Sequence, residues 1–221
     1  MALAHSPSIP LDGLLLCVDA ASARIPATGN VTLTRNGGLS APANGYYTFD
    51  GVDDSLSLDS NTILNVPYTG KTLVVAIWLD PSWTATGQYK GMIGTATGLN
   101  LRNLNFYVYR DNNGLLLHYS TSNGATNTGS VSNYLTMSTG QWNIVGISHK
   151  PDGSLSYYQN GQIVGNTNQV FNQYNAAVTE VLGNNDNPFP GRIAYWHVYN
   201  RGLTDAEMKQ SFNAMRGRFG L

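Results

Sequence analysis

The clearest structural signal in the chain reads Ser154-Leu155-Ser156-Tyr157-Tyr158-Gln159-Asn160-Gly161-Gln162-Ile163-Val164. Polar and apolar residues alternate on both sides of the Asn160-Gly161 pair, which is typical of strands with one buried face. Because Asn and Gly both tolerate a positive φ, this pair is the preferred two-residue turn between antiparallel strands. The stretch therefore predicts a β-hairpin with a type I′ turn.

Short apolar or alternating runs recur along the whole chain and are separated by turn residues, which indicates many β-strands. They are residues 14–18, 46–49, 56–58, 73–79, 106–109, 115–119, 142–147 and 193–199. The run at 73–79 is almost entirely apolar, so we expect a central strand covered on both faces. Residues 110–114 are expected to close a second hairpin, in which Gly114 or Asn113 takes a positive φ.

One helix is predicted near the C-terminus, at residues 204–216. Thr204 and Glu207 have the spacing of a capping box, in which each side chain bonds the other residue's backbone N–H. Met208, Phe212 and Met215 follow on one apolar stripe. Gly217 is expected to end the helix, which we expect to pack on an edge of a β-sandwich.

The composition excludes several classes of protein. Lys and Arg number 12 and Asp and Glu 13, so the net charge of −1 argues against a nucleic-acid partner. Charged residues make up only 11% of the chain. Small uncharged residues take their place, with 24 Gly, 24 Asn and 19 Thr. Only two Glu are present, which argues against a helical bundle. No run approaches the ~18 apolar residues of a membrane span, so no membrane partner is expected.

The N-terminal residues have no regular apolar pattern. Residues 1–12 are expected to be an arm that is either disordered or ordered by a partner, followed by one domain at 13–221. Pro7 and Pro10 interrupt the arm and no basic residue precedes an apolar run, so we expect synthesis in the cytoplasm without a signal peptide. Cys17 is the only cysteine, so no intramolecular disulfide forms, and we expect a small buried apolar residue.

Several segments together resemble the concanavalin A-like lectin/glucanase superfamily, specifically its laminin G-like modules. They are residues 47–56 with the run Phe49-Asp50-Gly51-Val52-Asp53-Asp54, residues 72–81 with Trp78, residues 142–147, residues 155–164, and a closing set of residues 182–184, 189–193 and 198–207. The resemblance covers most of residues 14–208. It implies an all-β fold, an antiparallel jelly-roll β-sandwich with one short C-terminal helix. It also implies that the strand near Leu14 lies beside the late strand near Ile193.

The ends of the domain narrow the resemblance further. Residues 210–220 resemble the tail of laminin G-like structural proteins of tailed bacteriophages, notably cyanophages, and residues 13–21 resemble the start of that group. This implies a non-enzymatic virion protein that contacts capsid or other virion proteins and its own copies. We expect a capsid decoration protein, because the long shaft of a tail fibre is absent. A glycan-binding adhesin of a tail fibre or capsid surface and a glycoside hydrolase stay open as alternatives.

The residues that a hydrolase of this superfamily needs are not arranged in its pattern. Such glucanases carry a Glu-x-Asp-x-x-Glu cluster, whereas this chain has only Glu180 and Glu207 at a different spacing. His5, His118, His149 and His197 have no short ligand spacing. We therefore expect no catalytic residue, metal or cofactor, and we interpret Asp53-Asp54 as a structural turn.

Two loops are candidates for a glycan site, because lectin sites combine polar loop residues with an aromatic stacking face. One loop supplies Asn184, Asn185 and Asp186 with the nearby Phe189, and the other supplies Trp83 and Tyr89. The loop at 183–188, and Asp111-Asn112-Asn113, also have the oxygen chemistry that Ca²⁺ prefers. Asn and Asp are common in loops for conformational reasons as well, and we favour that interpretation over a calcium site.

Overall fold

The computed structural model describes residues 8–22, 31–58, 70–96, 104–122, 127–168, 179–183 and 187–221. Across these ranges the chain forms fourteen strands, one α-helix and a 3₁₀ turn at Arg216–Arg218. The elements are β1 (Leu14–Asp19), β2 (Leu33–Asn36), β3 (Tyr47–Asp50), β4 (Ser55–Leu58), β5 (Lys71–Leu79), β6 (Gln88–Ala96), β7 (Leu104–Asp111), β8 (Gly114–Ser122), β9 (Asn127–Tyr134), β10 (Trp142–His149), β11 (Ser154–Gln159), β12 (Gln162–Asn168), β13 (Thr179–Leu182), β14 (Pro190–Tyr199) and α1 (Asp205–Met215).

The strands form two seven-stranded antiparallel sheets. The first sheet has the order β1-β14-β5-β10-β11-β12, with β3 also paired to β14, and the second has the order β2-β4-β13-β6-β7-β8-β9. The expected pairing of the chain's first and last strands is confirmed, since Leu14 lies opposite Tyr199 and Asp19 opposite Tyr195. The all-β sandwich with one C-terminal helix is confirmed as well.

The hairpin predicted around Asn160-Gly161 is present and consists of β11 and β12. Asn160 has a φ of 50° and Gly161 a φ of 74°, so both turn residues have the positive values of a type I′ turn. The Asn160 side chain also accepts a hydrogen bond from the N–H of Ile144 at 2.9 Å, which ties the turn to β10. The second hairpin is tighter than expected: β7 and β8 are joined by residues 112 and 113 alone, and Gly114 takes the positive φ.

The core lies between the sheets, and β5 is buried on both of its faces, as predicted. Leu73, Val75 and Ile77 point into the layer between the sheets, while Val74 and Ala76 point to the opposite face, where the C-terminal helix covers them. This two-sided cover explains why the strand is almost entirely apolar.

The helix begins with the predicted capping box. The prediction that it packs on an edge of the sandwich was wrong, because it lies on the outer face of the first sheet. Met208 is buried against the outer face of the first sheet, in a cluster with residues of β5, β10, β11 and β14. Gly146 of β10 makes room for it, since a Cβ there would lie 3.0 Å from the Met208 Cε. An outer sheet face with Val74 and Ala76 offers more apolar area than an edge, so burial favours the face.

The end of the helix also differs from the expectation. The α-helix ends at Met215 and continues as the 3₁₀ turn, so Gly217 lies within that turn and does not end the helix. Phe219 and Leu221 beyond the turn pack partly against the same outer-face cluster. This apolar contact keeps the last residues on the sheet.

The described part of the N-terminal arm lies against the helix region. The Gln210 side chain donates to the Ser8 carbonyl at 2.7 Å, Arg201 pairs with Asp12 at 2.8 Å, and Pro10 is buried. Residues 8–12 thus contact the domain, and residues 1–7 lie outside the described ranges.

Cys17 is half-buried on β1 opposite His197. Burial, together with the nearby Asp19 carboxylate, raises the pKa of its thiol to about 11, so the group is a neutral thiol at physiological pH. No helix in the described part of the chain is long and apolar enough to cross a membrane.

Candidate functional site

The outer face of the second sheet carries a cluster of aromatic rings, the tyrosine cluster, formed by Tyr89, Tyr107, Tyr109 and His118. Alternation along β7 produces it, because Phe106 enters the core and its neighbours must face outward. The Tyr89 ring lies 4.4 Å from the Tyr109 ring and 4.8 Å from the His118 ring. Tyr89 keeps 37% of its surface exposed, while Tyr107 and His118 are buried. Tyr89 is therefore an exposed ring on a rigid support.

His118 supports this ring as a neutral group. Burial lowers the pKa of its imidazole to about 4, because a charged ring is poorly solvated there. At neutral pH it is an aromatic contact for Tyr89 and carries no charge.

A cleft of about 290 Å³, the Tyr89 cleft, opens beside the exposed ring. It is lined by Gly87, Gln88, Tyr89, Lys90, Asn187 and Pro188. The N–H of Gly91 donates to the Asn187 carbonyl at 2.8 Å, which fixes the end of the 183–188 loop against β6. The lining thus combines residues of β6 with Asn187 and Pro188, which precede β14.

A second polar cleft, of about 450 Å³, lies next to it. Its lining includes Arg110, Asn113, Thr136, Ser138 and Thr139. The two clefts are neighbours, because Arg110 lies opposite Gln88 in the β6–β7 ladder. The guanidinium carbon of Arg110 lies 5.0 Å from the centre of the buried Trp83 ring.

The residues predicted for ligand binding fall into three groups. Tyr89 is exposed at its cleft. Trp83 is 7% exposed and Phe189 is 0% exposed, and both belong to the core between the sheets, so the Phe189 ring presents no face to a ligand. Asn184, Asn185 and Asp186 lie outside the described residues. The structure brings Tyr89 together with Asn187 and Pro188, which follow those three along the chain.

Tyr109 and His118 are site residues that the sequence argument missed. The alternation Phe106-Tyr107-Val108-Tyr109 was a usable signal, since it places both tyrosines on the face opposite the core. His118 follows the same rule on β8, between the core residues Leu117 and Tyr119. What the alternation leaves open is the register that sets Tyr89 opposite Tyr109.

The Asp111 loop uses its carboxylate to hold its own turn. The Tyr134 hydroxyl donates to this carboxylate at 2.7 Å, and the N–H groups of Asn113 and Gly114 donate at 2.8 and 2.9 Å. These bonds, that of Tyr134 foremost, lower the pKa of Asp111. The arrangement favours the structural interpretation of this loop over a calcium site.

Carboxylates of Asp50, Asp53 and Asp54 lie within 4.8 Å of one another. Asp54 accepts the N–H of Asp50 at 2.9 Å, and Asp50 accepts the N–H of Val52 at 2.7 Å. Burial raises the pKa of Asp54 despite the first of these bonds. Their oxygens are the kind that a hard cation takes, and their hydrogen bonds are those of the turn that carries the chain from the first sheet to the second.

Glu207 is committed to the start of the helix. Arg201 donates to it at 3.0 Å, and the Thr204 N–H donates at 2.8 Å. Led by the Arg201 bond, these contacts lower the pKa of Glu207 to about 2. A carboxyl group held ionised in this way is unsuited to be the proton donor of a glycosidase.

The comparisons with solved structures agree with the observed fold. The fourth domain of a GH43 extracellular arabinanase from Geobacillus stearothermophilus, solved with arabinotriose, aligns with a TM-score of 0.66 and 17% identity over 90% of this chain and 97% of that chain. The receptor binding domain of botulinum neurotoxin D aligns with a TM-score of 0.69 and 12% identity over 92% of this chain and 53% of that chain. A structure of botulinum neurotoxin type C, whose cell entry is described as dependent on two ganglioside molecules, aligns with a TM-score of 0.68 and 12% identity. This alignment covers 92% of this chain and 51% of that chain.

The chain spans about half the length of these toxin domains. At such identities the likeness is one of fold. No curated protein matches the chain. The Laminin_G_3 family model, described as the concanavalin A-like lectin/glucanases superfamily, matches residues 50–209. That match covers well over half of the sequence, and the chain therefore belongs to the concanavalin A-like lectin/glucanase superfamily.

Proposed function

We propose that this domain is a non-catalytic glycan-binding module whose binding surface is the Tyr89 cleft. The observation that carries the proposal is the exposed Tyr89 ring, held at 4.4 Å by Tyr109 and 4.8 Å by His118. An immobilised ring loses little entropy on binding and can take the apolar face of a sugar. Asn187 in the same lining adds an amide group that can bond sugar hydroxyls.

The proposed site extends along the loop that ends at Asn187. Asn184, Asn185 and Asp186 join Gly183 to Asn187 in the chain, and we include them as polar contacts. Lys90 contributes the positive charge in the lining, and burial lowers the pKa of its ammonium group. Trp83 and Phe189 stay outside the proposed surface because the core covers their rings.

Two considerations support binding without catalysis. The arabinanase domain, which aligns over 97% of its own length, was solved with arabinotriose, and the type C neurotoxin, of which this chain covers 51%, is described as interacting with two ganglioside molecules. In addition, Glu207 is occupied by Arg201 and Thr204. Reducing-sugar release by the purified protein would contradict the proposal.

The test is a glycan array followed by calorimetric titration of the saccharides that bind. Tyr89→Ala is expected to weaken binding about 5- to 20-fold, the loss of one stacking contact, while Tyr89→Phe keeps most of the affinity. Asp186→Ala should also weaken binding. The matched control is Ile163→Ala, since Ile163 is 42% exposed on the first sheet and should not change it. Absence of any saccharide binding would contradict the proposal. An equal loss of affinity in Tyr89→Ala and in the control Ile163→Ala would contradict it as well.

We further propose that the module belongs to a virion, foremost as a capsid decoration protein that contacts the capsid and its own copies. The observation that favours this is the resemblance of residues 13–21 and 210–220 to phage structural proteins. Mass spectrometry of separated heads and tails is the test: the protein is expected with the heads. Recovery with the tails alone would favour the adhesin instead, and absence from purified particles would contradict a virion role.

A further inference from the structure

The outer face of the first sheet carries a second group of rings beyond the end of α1. Arg192 on β14 lies opposite Trp78 on β5, and Trp78 lies opposite Trp142 on β10. All three side chains are half-buried. They lie on the sheet that does not carry the tyrosine cluster, so this group is independent of the Tyr89 cleft.

The Arg192 guanidinium is held by aromatic rings. Its central carbon lies 4.3 Å from the centre of the Trp78 ring and 5.0 Å from the centre of the Tyr46 ring. The Tyr46 ring in turn lies 5.7 Å from Trp142, which lies 4.8 Å from Phe219. Contact with two rings restrains the guanidinium group without using its N–H donors.

The hydrogen-bond donors of Arg192 are free within the part of the chain that the structure describes. None of the ion pairs or hydrogen bonds there involves its side chain, and none of its nitrogens is a buried orphan, so they face solvent. Asp80 is near enough to feel its charge, but the Asp80 carboxylate accepts the Ser82 N–H at 2.8 Å.

Other arginines use the same group for structure. Arg201 bonds Glu207 and pairs with Asp12, and Arg218 pairs with Asp19 at 2.7 Å. Among the described residues Arg192 is instead held by rings and has no ion-pair partner, which is the state of an arginine prepared to receive a carboxylate with two parallel hydrogen bonds.

We propose that Arg192, with Trp142 and Tyr46 beside it, binds the carboxylate of an acidic saccharide. The planar fork matches a carboxylate, and the half-buried rings beside it offer apolar contact to the C–H face of a uronic acid ring. The ligand class follows from this pairing of one fixed cation with aromatic surface.

The experiment titrates the whole protein with trigalacturonate and, as a neutral twin, with its methyl ester. Arg192→Gln should weaken trigalacturonate binding at least about tenfold, the loss of one charged bidentate contact. Arg192→Lys keeps the charge and loses the fork, so it should bind with intermediate affinity. The control Arg216→Gln should bind normally, since Arg216 is exposed and lies 5.9 Å from the Phe212 ring.

Four results would overturn the proposal: unchanged affinity in Arg192→Gln, equal binding of the methyl ester, tighter binding of triglutamate than of the sugar, or no binding of trigalacturonate. Thermal melts of each variant separate lost binding from lost folding, and Arg192→Lys provides a second, milder probe. Tyr89→Ala tells the two sites apart. If Tyr89→Ala removes trigalacturonate binding and Arg192→Gln does not, the acidic saccharide binds at the Tyr89 cleft and the proposal for Arg192 is wrong.

Discussion

Gly183 lies where a side chain has no room. Its φ is +82°, and a Cβ built on it would lie 2.1 Å from the Cε1 of Phe49. Phe49 is itself buried against Phe189 and Trp196, with ring centres 6.1 and 6.2 Å away. The glycine thus serves two needs at once, a left-handed backbone and close packing under the loop that leads to the Tyr89 cleft.

A pair of alanine variants separates these two needs. Gly87 has a similar φ of +75° with nothing within 4 Å of its Cβ position, so Gly87→Ala should lower the free energy of unfolding by only about 1–2 kcal/mol. Gly183→Ala should lower it by about 2–5 kcal/mol, because overpacking is added. Urea denaturation measures both. Equal losses would mean that Phe49 moves aside without strain.

At the scale of the element, the helix start joins local capping to an ion pair. Thr204 accepts the Glu207 N–H at 3.3 Å, and Glu207 accepts the Thr204 N–H at 2.8 Å. Arg201 bonds the same carboxylate and also reaches Asp12 of the N-terminal arm. Arg201 therefore links the helix start to the segment that precedes β1.

The helix start should make stability depend on pH. The folded pKa of Glu207, lowered to about 2 chiefly by Arg201, lies below the ordinary carboxyl value. Its contribution is therefore complete above about pH 4.5 and is lost as the pH falls towards 2. Glu207→Gln should lower the free energy of unfolding by about 1 kcal/mol at pH 7, after allowance for solvent screening, and by little at pH 2.

Chemical denaturation at pH 7, 4 and 2.5 measures this difference. Thr204→Ala serves as the control, since it removes the cap hydroxyl and keeps the Arg201 pair. Its cost of about 1 kcal/mol should change less with pH. A Glu207→Gln difference that stays constant down to pH 2.5 would rule out the ion pair as the cause.

At the scale of the whole molecule, one indole connects the two sheets. Trp196 of β14 is 0% exposed, and its Nε1 donates to the carbonyl of Met92 on β6 at 2.8 Å. Its ring packs 6.0 Å from that of Tyr47. Both sheets therefore share one buried polar contact inside an apolar core, where such a bond is strong.

Trp196→Phe should lower the free energy of unfolding by about 2–4 kcal/mol, from lost volume and a lost hydrogen bond. Because one apolar core joins both sheets, unfolding of this variant should remain a single transition, which calorimetry checks against the van't Hoff enthalpy. Ile163→Val on the exposed edge should change stability by less than about 0.5 kcal/mol. Two separate transitions in Trp196→Phe would mean that the sheets unfold independently.

Several features that depend on residues close together in the sequence were predicted correctly, and several features that depend on distant residues were missed. The Asn160-Gly161 turn and the Thr204–Glu207 cap were predicted, because both depend on groups at most a few residues apart. β6 was missed, since Gly91 and a register shift beside it interrupt its alternation. The helix was wrongly predicted to pack on an edge. The apolar residues of a helix show that one side is buried, but they do not show that the partner is the outer face at Val74 and Ala76.

The candidate site shows the same division. From the sequence alone, a stacking role is equally plausible for Tyr89, Trp83 and Phe189. In the structure only Tyr89 of these three is exposed. Local conformational preferences, which act within a few residues, were enough to predict many short strands, hairpin turns and a capped helix, and the superfamily resemblance implied the antiparallel sandwich. The tertiary structure alone decided which aromatic rings meet solvent and that Arg192 stacks on Trp78, because burial depends on strand register and on partners more than a hundred residues away in the chain.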